Sequence, residues 1–127
     1  MIATFKPCQL AGTIAAPPSK SMAHRYLIGA ALSKGISTLS GVDYSQDILA
    51  SIDCLEALGA KISTEGDTVT VDPSGFLQIE SPVLRCRESG STLRFFIPLA
   101  LCLGRPVTLL GSKRLLERPL EEEIDYE

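Results

Sequence analysis

A chain of 127 residues, 45% hydrophobic and 21% charged, is long enough to bury one core and is neither disordered nor fibrous in composition. Its net charge of −3, with the cations dispersed along the chain, argues against nucleic acid or an acidic membrane as partner. No apolar run reaches the ~18 residues of a membrane span, and Met1-Ile-Ala-Thr-Phe-Lys lacks the charged-then-apolar start of a signal peptide, which makes the cytoplasm the expected location.

In chain order, residues 2–16 read as a strand that Pro17-Pro18 terminates. A helix is predicted from about Ser21 to Lys34, with Met22, Tyr26, Leu27, Ala30 and Ala31 as its apolar face and Gly35 as its C-cap. A short strand, Ile36 to Leu39, ends at Gly41. Ser45 then caps a second helix whose apolar residues Ile48, Leu49, Ile52, Leu55 and Leu58 leave a polar outer face, and Gly59 stops it. Two alternating β-branched runs, from Lys61 and from Thr68, meet at Glu65-Gly66-Asp67 as a hairpin. These elements make an α/β chain whose first unit, residues 17–72 with the strand before it, is βαβαββ.

After Asp72-Pro-Ser-Gly, a strand from Val83 leads to Arg87-Glu-Ser-Gly-Ser-Thr and a helix running Leu93 to Leu103. That helix is apolar nearly all round, so it is expected to be buried on most sides, with Pro98 removing a hydrogen bond or kinking it. A strand Val107 to Leu110 follows. A last helix is predicted from Arg118-Pro119, with Glu121-Glu-Glu in its first turns; it has at most nine residues, so this end reads as cut. A shift of 69 residues lays Arg25 on Arg94 and Gly35 on Gly104, which marks a duplicated unit, the second copy (residues 76–127) being truncated. Two right-handed parallel crossovers, at residues 17–41 and 87–111, are the expected consequence. Cys8, Cys54, Cys86 and Cys102 are never closer than sixteen positions; this excludes a Cys-x-x-Cys pair and predicts buried, reduced thiols and no zinc.

The chemistry concentrates at two helix starts. A helix N-terminus carries roughly half a positive charge, and at Pro18-Ser-Lys-Ser it is joined by Lys20, a mobile point charge, and by Arg25, a planar fork four residues after Ser21 on the same face. The site wants an anion. Glu88-Ser-Gly-Ser-Thr forms a second such corner, where Gly90 lets a ligand approach the backbone. The plainer readings are that Ser89 or Ser91 is an ordinary N-cap, that Lys20 and Arg25 lie on a solvated face, and that His24 is structural. Arg118, a cation at a helix start, calls for a compensating anion.

Taken together, Pro18-Ser-Lys-Ser-x-x-x-Arg25, Glu88-Ser-Gly-Ser-Thr-x-Arg94 and Glu117-Arg118-Pro119 resemble the N-terminal part of the EPSP synthase family, the 3-phosphoshikimate 1-carboxyvinyltransferases. The resemblance implies an enolpyruvyl transferase fold built from βαβαββ units, with residues 1–16 as a strand segment pairing with a second domain absent from this chain. It implies transfer of the enolpyruvyl group of phosphoenolpyruvate to the 5-hydroxyl of shikimate-3-phosphate, as a glyphosate target, with no cofactor. It also implies that Lys20 reaches phosphoenolpyruvate and the 5-hydroxyl, that Ser21 and Arg25 hold the shikimate carboxylate, and that Gly90 and Arg118 hold the phosphoenolpyruvate phosphate. Glu88 stands where many members have Asn, and Ser91 where many have Thr. The alternatives are a UDP-N-acetylglucosamine enolpyruvyl transferase, which usually shows Lys-Asn in place of Lys20-Ser21, and a non-catalytic anion-binding module. On the first reading the chain alone is inactive.

Overall fold

The computed structural model describes residues 2–117. Helix α1 (Lys20–Ala31) starts where the prolines end, its first turn closed by the Ser19 hydroxyl, which accepts a bond from the Met22 amide. Strand β1 (Ser37–Leu39) follows, then α2 (Gln46–Ala57), capped by Ser45 as its sequence requires. β2 (Lys61–Glu65) and β3 (Thr68–Asp72) form the hairpin with Lys61 opposite Asp72 and Glu65 opposite Thr68, Gly66 taking φ +59° in the turn. β1 pairs antiparallel with the other edge of β3, giving the order β1-β3-β2. A second sheet is the parallel pair β4 (Val83–Arg85) and β5 (Thr108–Leu110), joined through α3 (Gly90–Cys102). Ser112 caps a short α4 (Lys113–Leu116), which the sequence reading does not anticipate; the helix expected from Arg118-Pro119 lies outside the described residues.

The core forms where α2 meets α1, α3 and both sheets. Leu27 of α1, Ile48, Leu55 and Leu58 around α2, Val69 and Val71 of β3, Leu84 of β4 and Phe96 of α3 are all essentially without solvent contact. Burying each such side chain is worth roughly 1.5–3 kcal/mol, so α2, touched from several directions, is the element on which the others are assembled.

Several expectations are corrected. Among the described residues, 2–16 form no strand: the segment has neither a partner ladder nor a covered face there, and Ile2, Phe5, Leu10 and Ile14 are 88–96% exposed. The first of the two expected parallel crossovers is therefore not seen among the described residues, where β1 has only an antiparallel neighbour, whereas β4–α3–β5 makes the second. The roles of α2 and α3 are exchanged. α2 buries Ala50, Ser51 and Cys54 besides its apolar stripe, while α3 buries Thr92, Leu93 and Phe96 and leaves Leu101 78% exposed, because nothing among the described residues covers its outer side. On α1, Met22 and Tyr26 are exposed and His24 is buried in their stead. Pro98 is accommodated inside a continuous α3. Of the cysteines, Cys54 and Cys86 are buried and Cys8 and Cys102 exposed, all four free. A hydrogen bond between the two buried thiols raises the Cys54 pKa above its ordinary value and holds that of Cys86 below it.

Candidate anion-binding site

The two helix starts singled out in the sequence are linked through one acid that the sequence reading missed. Lys20, the first residue of α1, places its Nζ 2.5 Å from Asp47 Oδ2 in the first turn of α2. That ammonium holds the Asp47 carboxyl below the usual carboxylate range, against the opposing effect of partial burial. Ser89 is the N-cap of α3, its Oγ accepting the Thr92 amide at 3.1 Å. Asp47 thus meets both corners, its carboxylate holding Lys20 and its carbonyl oxygen lying 3.2 Å from Thr92 Oγ1 in the first turn of α3. The signal for it lay in the sequence: an acid two residues after a Ser cap, the position a helix dipole favours.

Behind this surface runs a buried chain of hydroxyls. His24 Nδ1 lies 2.7 Å from Ser51 Oγ, Ser51 Oγ lies 3.0 Å from Thr92 Oγ1, and Thr92 Oγ1 lies 2.8 Å from Ser89 Oγ and 3.2 Å from the Asp47 carbonyl oxygen. All four side chains are 0–2% exposed, so the chain ties α1, α2 and α3 together where water cannot substitute for a lost bond.

Of the sequence-predicted site residues, Lys20, Ser21 and Arg25 share the first two turns of α1, and Gly90 is the first residue of α3. Arg25 Nη1 donates to the Ser21 carbonyl at 2.9 Å and to its hydroxyl, and the guanidinium lies 5.3 Å from the centre of the Phe95 ring of α3. Arg25 is thereby oriented between the two helices, and its partner Phe95 carried no signal at sequence level. Arg118 lies outside the described residues. Glu88 is exposed. Arg87, at φ +52°, turns onto α2, its Nε and Nη2 on Asp53 Oδ2 at 2.9 and 2.7 Å and Nη1 on Gln46 Oε1 at 2.8 Å, which fixes the loop just before the second corner. A cleft of about 720 Å³ runs along α1 and β1 past Pro18, Met22, Arg25, Tyr26, Leu39 and Val42; Lys20 and Gly90 do not line it.

Burial lowers the His24 pKa below its ordinary value, with Asp47 opposing and Lys20 and Arg25 reinforcing the shift. A depressed folded-state pKa means that the unfolded chain binds the proton more readily. Stability supplied by neutral His24 is therefore present above the unfolded value near ~6.5 and is lost as pH falls towards the folded one. Urea unfolding at pH values on either side of that point is expected to show the loss in the native chain and to show much less of it in His24→Asn. An unchanged slope in the variant would assign the effect to other groups.

An α/β chain in which two serine-capped helix starts, a lysine and an arginine lie close together offers a surface suited to a small anion. Comparison defines the family. The family described as EPSP synthase (3-phosphoshikimate 1-carboxyvinyltransferase) matches residues 5–126, and the chain belongs to it. A 3-phosphoshikimate 1-carboxyvinyltransferase of Clostridium kluyveri is 42% identical over 122 residues, covering 96% of this chain and 29% of that protein. One of Clostridium perfringens (strain SM101) is 42% identical over 129 residues, covering 94% and 30%. An EPSP synthase structure from Acinetobacter baumannii superposes with a TM-score of 0.71 at 25% identity, over 87% of this chain and 26% of that one. The chain thus spans under a third of the length of these relatives. Among the described residues no helix is long and apolar enough to cross a membrane.

Proposed function

We propose that this chain forms part of a 3-phosphoshikimate 1-carboxyvinyltransferase, which moves the enolpyruvyl group of phosphoenolpyruvate onto the 5-hydroxyl of shikimate-3-phosphate in the cytoplasm. A bond forms between that hydroxyl oxygen and the central carbon of phosphoenolpyruvate as the hydroxyl O–H breaks, the bond from that carbon to the phosphate oxygen breaks, and phosphate leaves with the proton in the net balance. Lys20 supplies a mobile cation between the two substrates, Ser21 and Arg25 bind the shikimate carboxylate, and Gly90 with Arg118 receives the phosphoenolpyruvate phosphate. The observation that carries this reading is the linkage of Lys20 to the first turn of α3 through Asp47, whose carboxylate holds the lysine and whose carbonyl oxygen lies 3.2 Å from Thr92 Oγ1. Both substrates are polyanions joined at one reacting centre, and two linked cationic corners suit them.

In the same reading the chain holds one βαβαββ unit and the beginning of a second. Residues 1–16 supply the unit's missing strand by pairing in a second domain of the parent enzyme. The exposure of Ile2, Phe5, Leu10 and Ile14, and of the outer side of α3, supports partners of that kind.

Inorganic phosphate is the probe. It is expected to shift the amides of Lys20–Arg25 and Ser89–Thr92, weakly and less so as salt is raised, since the Lys20 side chain is 53% exposed and must leave Asp47 to bind. Shifts confined to other residues would overturn the site.

A further inference from the structure

We infer that His24 is a positioning residue for the second anion corner: its Nδ1–H starts a one-way line of hydrogen bonds through Ser51 and Thr92 that sets the start of α3 against α1. The role of that corner rests on the proposed function, but the line itself stands on geometry. Its direction follows from counting protons. Thr92 Oγ1 has one hydrogen, and two acceptors lie within its reach on the side away from Ser51, the Ser89 hydroxyl at 2.8 Å and the Asp47 carbonyl oxygen, which can only accept, at 3.2 Å. When Thr92 donates to either, Ser51 must donate to Thr92 across their 3.0 Å contact. Ser51 has then spent its only hydrogen, so at 2.7 Å it accepts from His24, and the imidazole proton sits on Nδ1. Reversing the line would leave both acceptors without the Thr92 hydrogen.

The far nitrogen favours the same answer. Among the described residues, His24 Nε2 is buried with no hydrogen-bond partner. With the proton on Nδ1 this orphan is a bare lone pair; with the line reversed it is an N–H donor without an acceptor, the rarer and costlier defect. The charged groups facing the ring are Lys20 and Arg25 from α1 and Asp47 from α2, while from α3 the Phe95 ring stands 5.9 Å away. The desolvated surroundings favour the neutral imidazole, and Lys20 and Arg25 act in the same direction against the opposing Asp47.

The line ends on the residues that build the corner. Thr92 Oγ1 contacts Ser89, the α3 cap, and the Asp47 backbone, while Asp47 carries Lys20. Removing the proton at His24 leaves Ser51 free to turn and Thr92 to choose another acceptor, so the α3 start loses its fixed register on α2. His24→Asn keeps an N–H donor at the same distance along the side chain and dispenses with Nε2. His24→Leu fills the space with no donor.

Because the chain contains a single histidine, its imidazole nitrogens are unambiguous in a long-range proton–nitrogen correlation spectrum. The expected result on the native chain is a neutral ring protonated on Nδ1. A ring protonated on Nε2, or an imidazolium at neutral pH, would overturn the inference, and this holds whether or not any variant folds. In the variants, His24→Leu is expected to move the amides of Ser89–Leu93 and to weaken inorganic phosphate at that corner by roughly three- to tenfold, the equivalent of one buried hydrogen bond. His24→Asn is expected to restore the amides. Equal amide shifts in both variants, or none in either, would leave His24 without a positioning role. Absence of phosphate binding in the native chain would instead overturn the proposed function and leave the tautomer and amide results to decide this one.

Discussion

Replacing Gly59 by alanine is expected to cost roughly 3 kcal/mol or more and to abolish or severely lower the cooperative unfolding transition. Gly59 ends α2 at φ +101°, a conformation that an L side chain rarely adopts, and a Cβ built there falls far inside van der Waals contact of the Gly75 carbonyl oxygen. The obstacle is backbone, so no rotamer change relieves it. The neighbouring geometry is equally closed: a Cβ on Gly75 would stand 2.7 Å from the Gly59 oxygen, and Leu77 N donates to the Leu58 carbonyl at 2.7 Å. This close approach pins the loop between the two sheets onto the end of the central helix. Gly29 provides the control. A Cβ on it, within α1, meets nothing within 4 Å, so Gly29→Ala is expected to gain about 0.5–1 kcal/mol from helix propensity. Equal stability of Gly59→Ala and the native chain in urea would show that the two loops separate freely.

That glycine illustrates which parts of the fold were legible in the sequence. Gly59 is identifiable as a helix stop because the apolar period of α2 ends there, but its contact with Gly75 depends on a fold-back sixteen residues later that no local pattern encodes. Ser45 and the Glu65-Gly66-Asp67 turn are local devices and stand where the sequence places them. Burial is different, because it is decided by what packs on an element. α3, the more apolar helix, leaves a side open, while α2, with three acids and a serine, occupies the middle. Residues 2–16 alternate well enough for a strand, yet a strand exists only with a neighbour to bond. In the candidate site, the placement of Lys20, Ser21, Arg25 and Gly90 in the first turns of α1 and α3 was legible because helix starts carry local signals. Asp47, Ser51 and Thr92 were not, since each has an ordinary local reading and acquires its role through contacts 27 to 45 residues distant in sequence.

The 127-residue chain, given shikimate-3-phosphate and phosphoenolpyruvate, is expected to release no phosphate above the uncatalysed background. The chain corresponds to 29–30% of its clostridial relatives, so on the proposed reading most of the surface that would enclose two substrates is contributed from elsewhere in the parent enzyme. Lys20, the one cation here proposed to touch the reacting groups, is held by Asp47 at 2.5 Å and half open to solvent. Such a pair is worth only about 0–1 kcal/mol; phosphate can take the lysine from it, but water competes for the same ammonium. Holding two reactants in attacking geometry supplies about 7–11 kcal/mol of a barrier, and a positioned proton donor or acceptor typically a further 10²–10⁴-fold in rate. An open corner supplies neither, because it binds one anion at a time and leaves the 5-hydroxyl proton to bulk water. The same chain should still show the phosphate-dependent amide shifts, since attraction to a helix start and a lysine needs no second wall. Binding without turnover is therefore the expected pair of results. Phosphate release at a rate that rises with both substrates and disappears in Lys20→Met would show instead that the corner between α1 and α3 is catalytically sufficient.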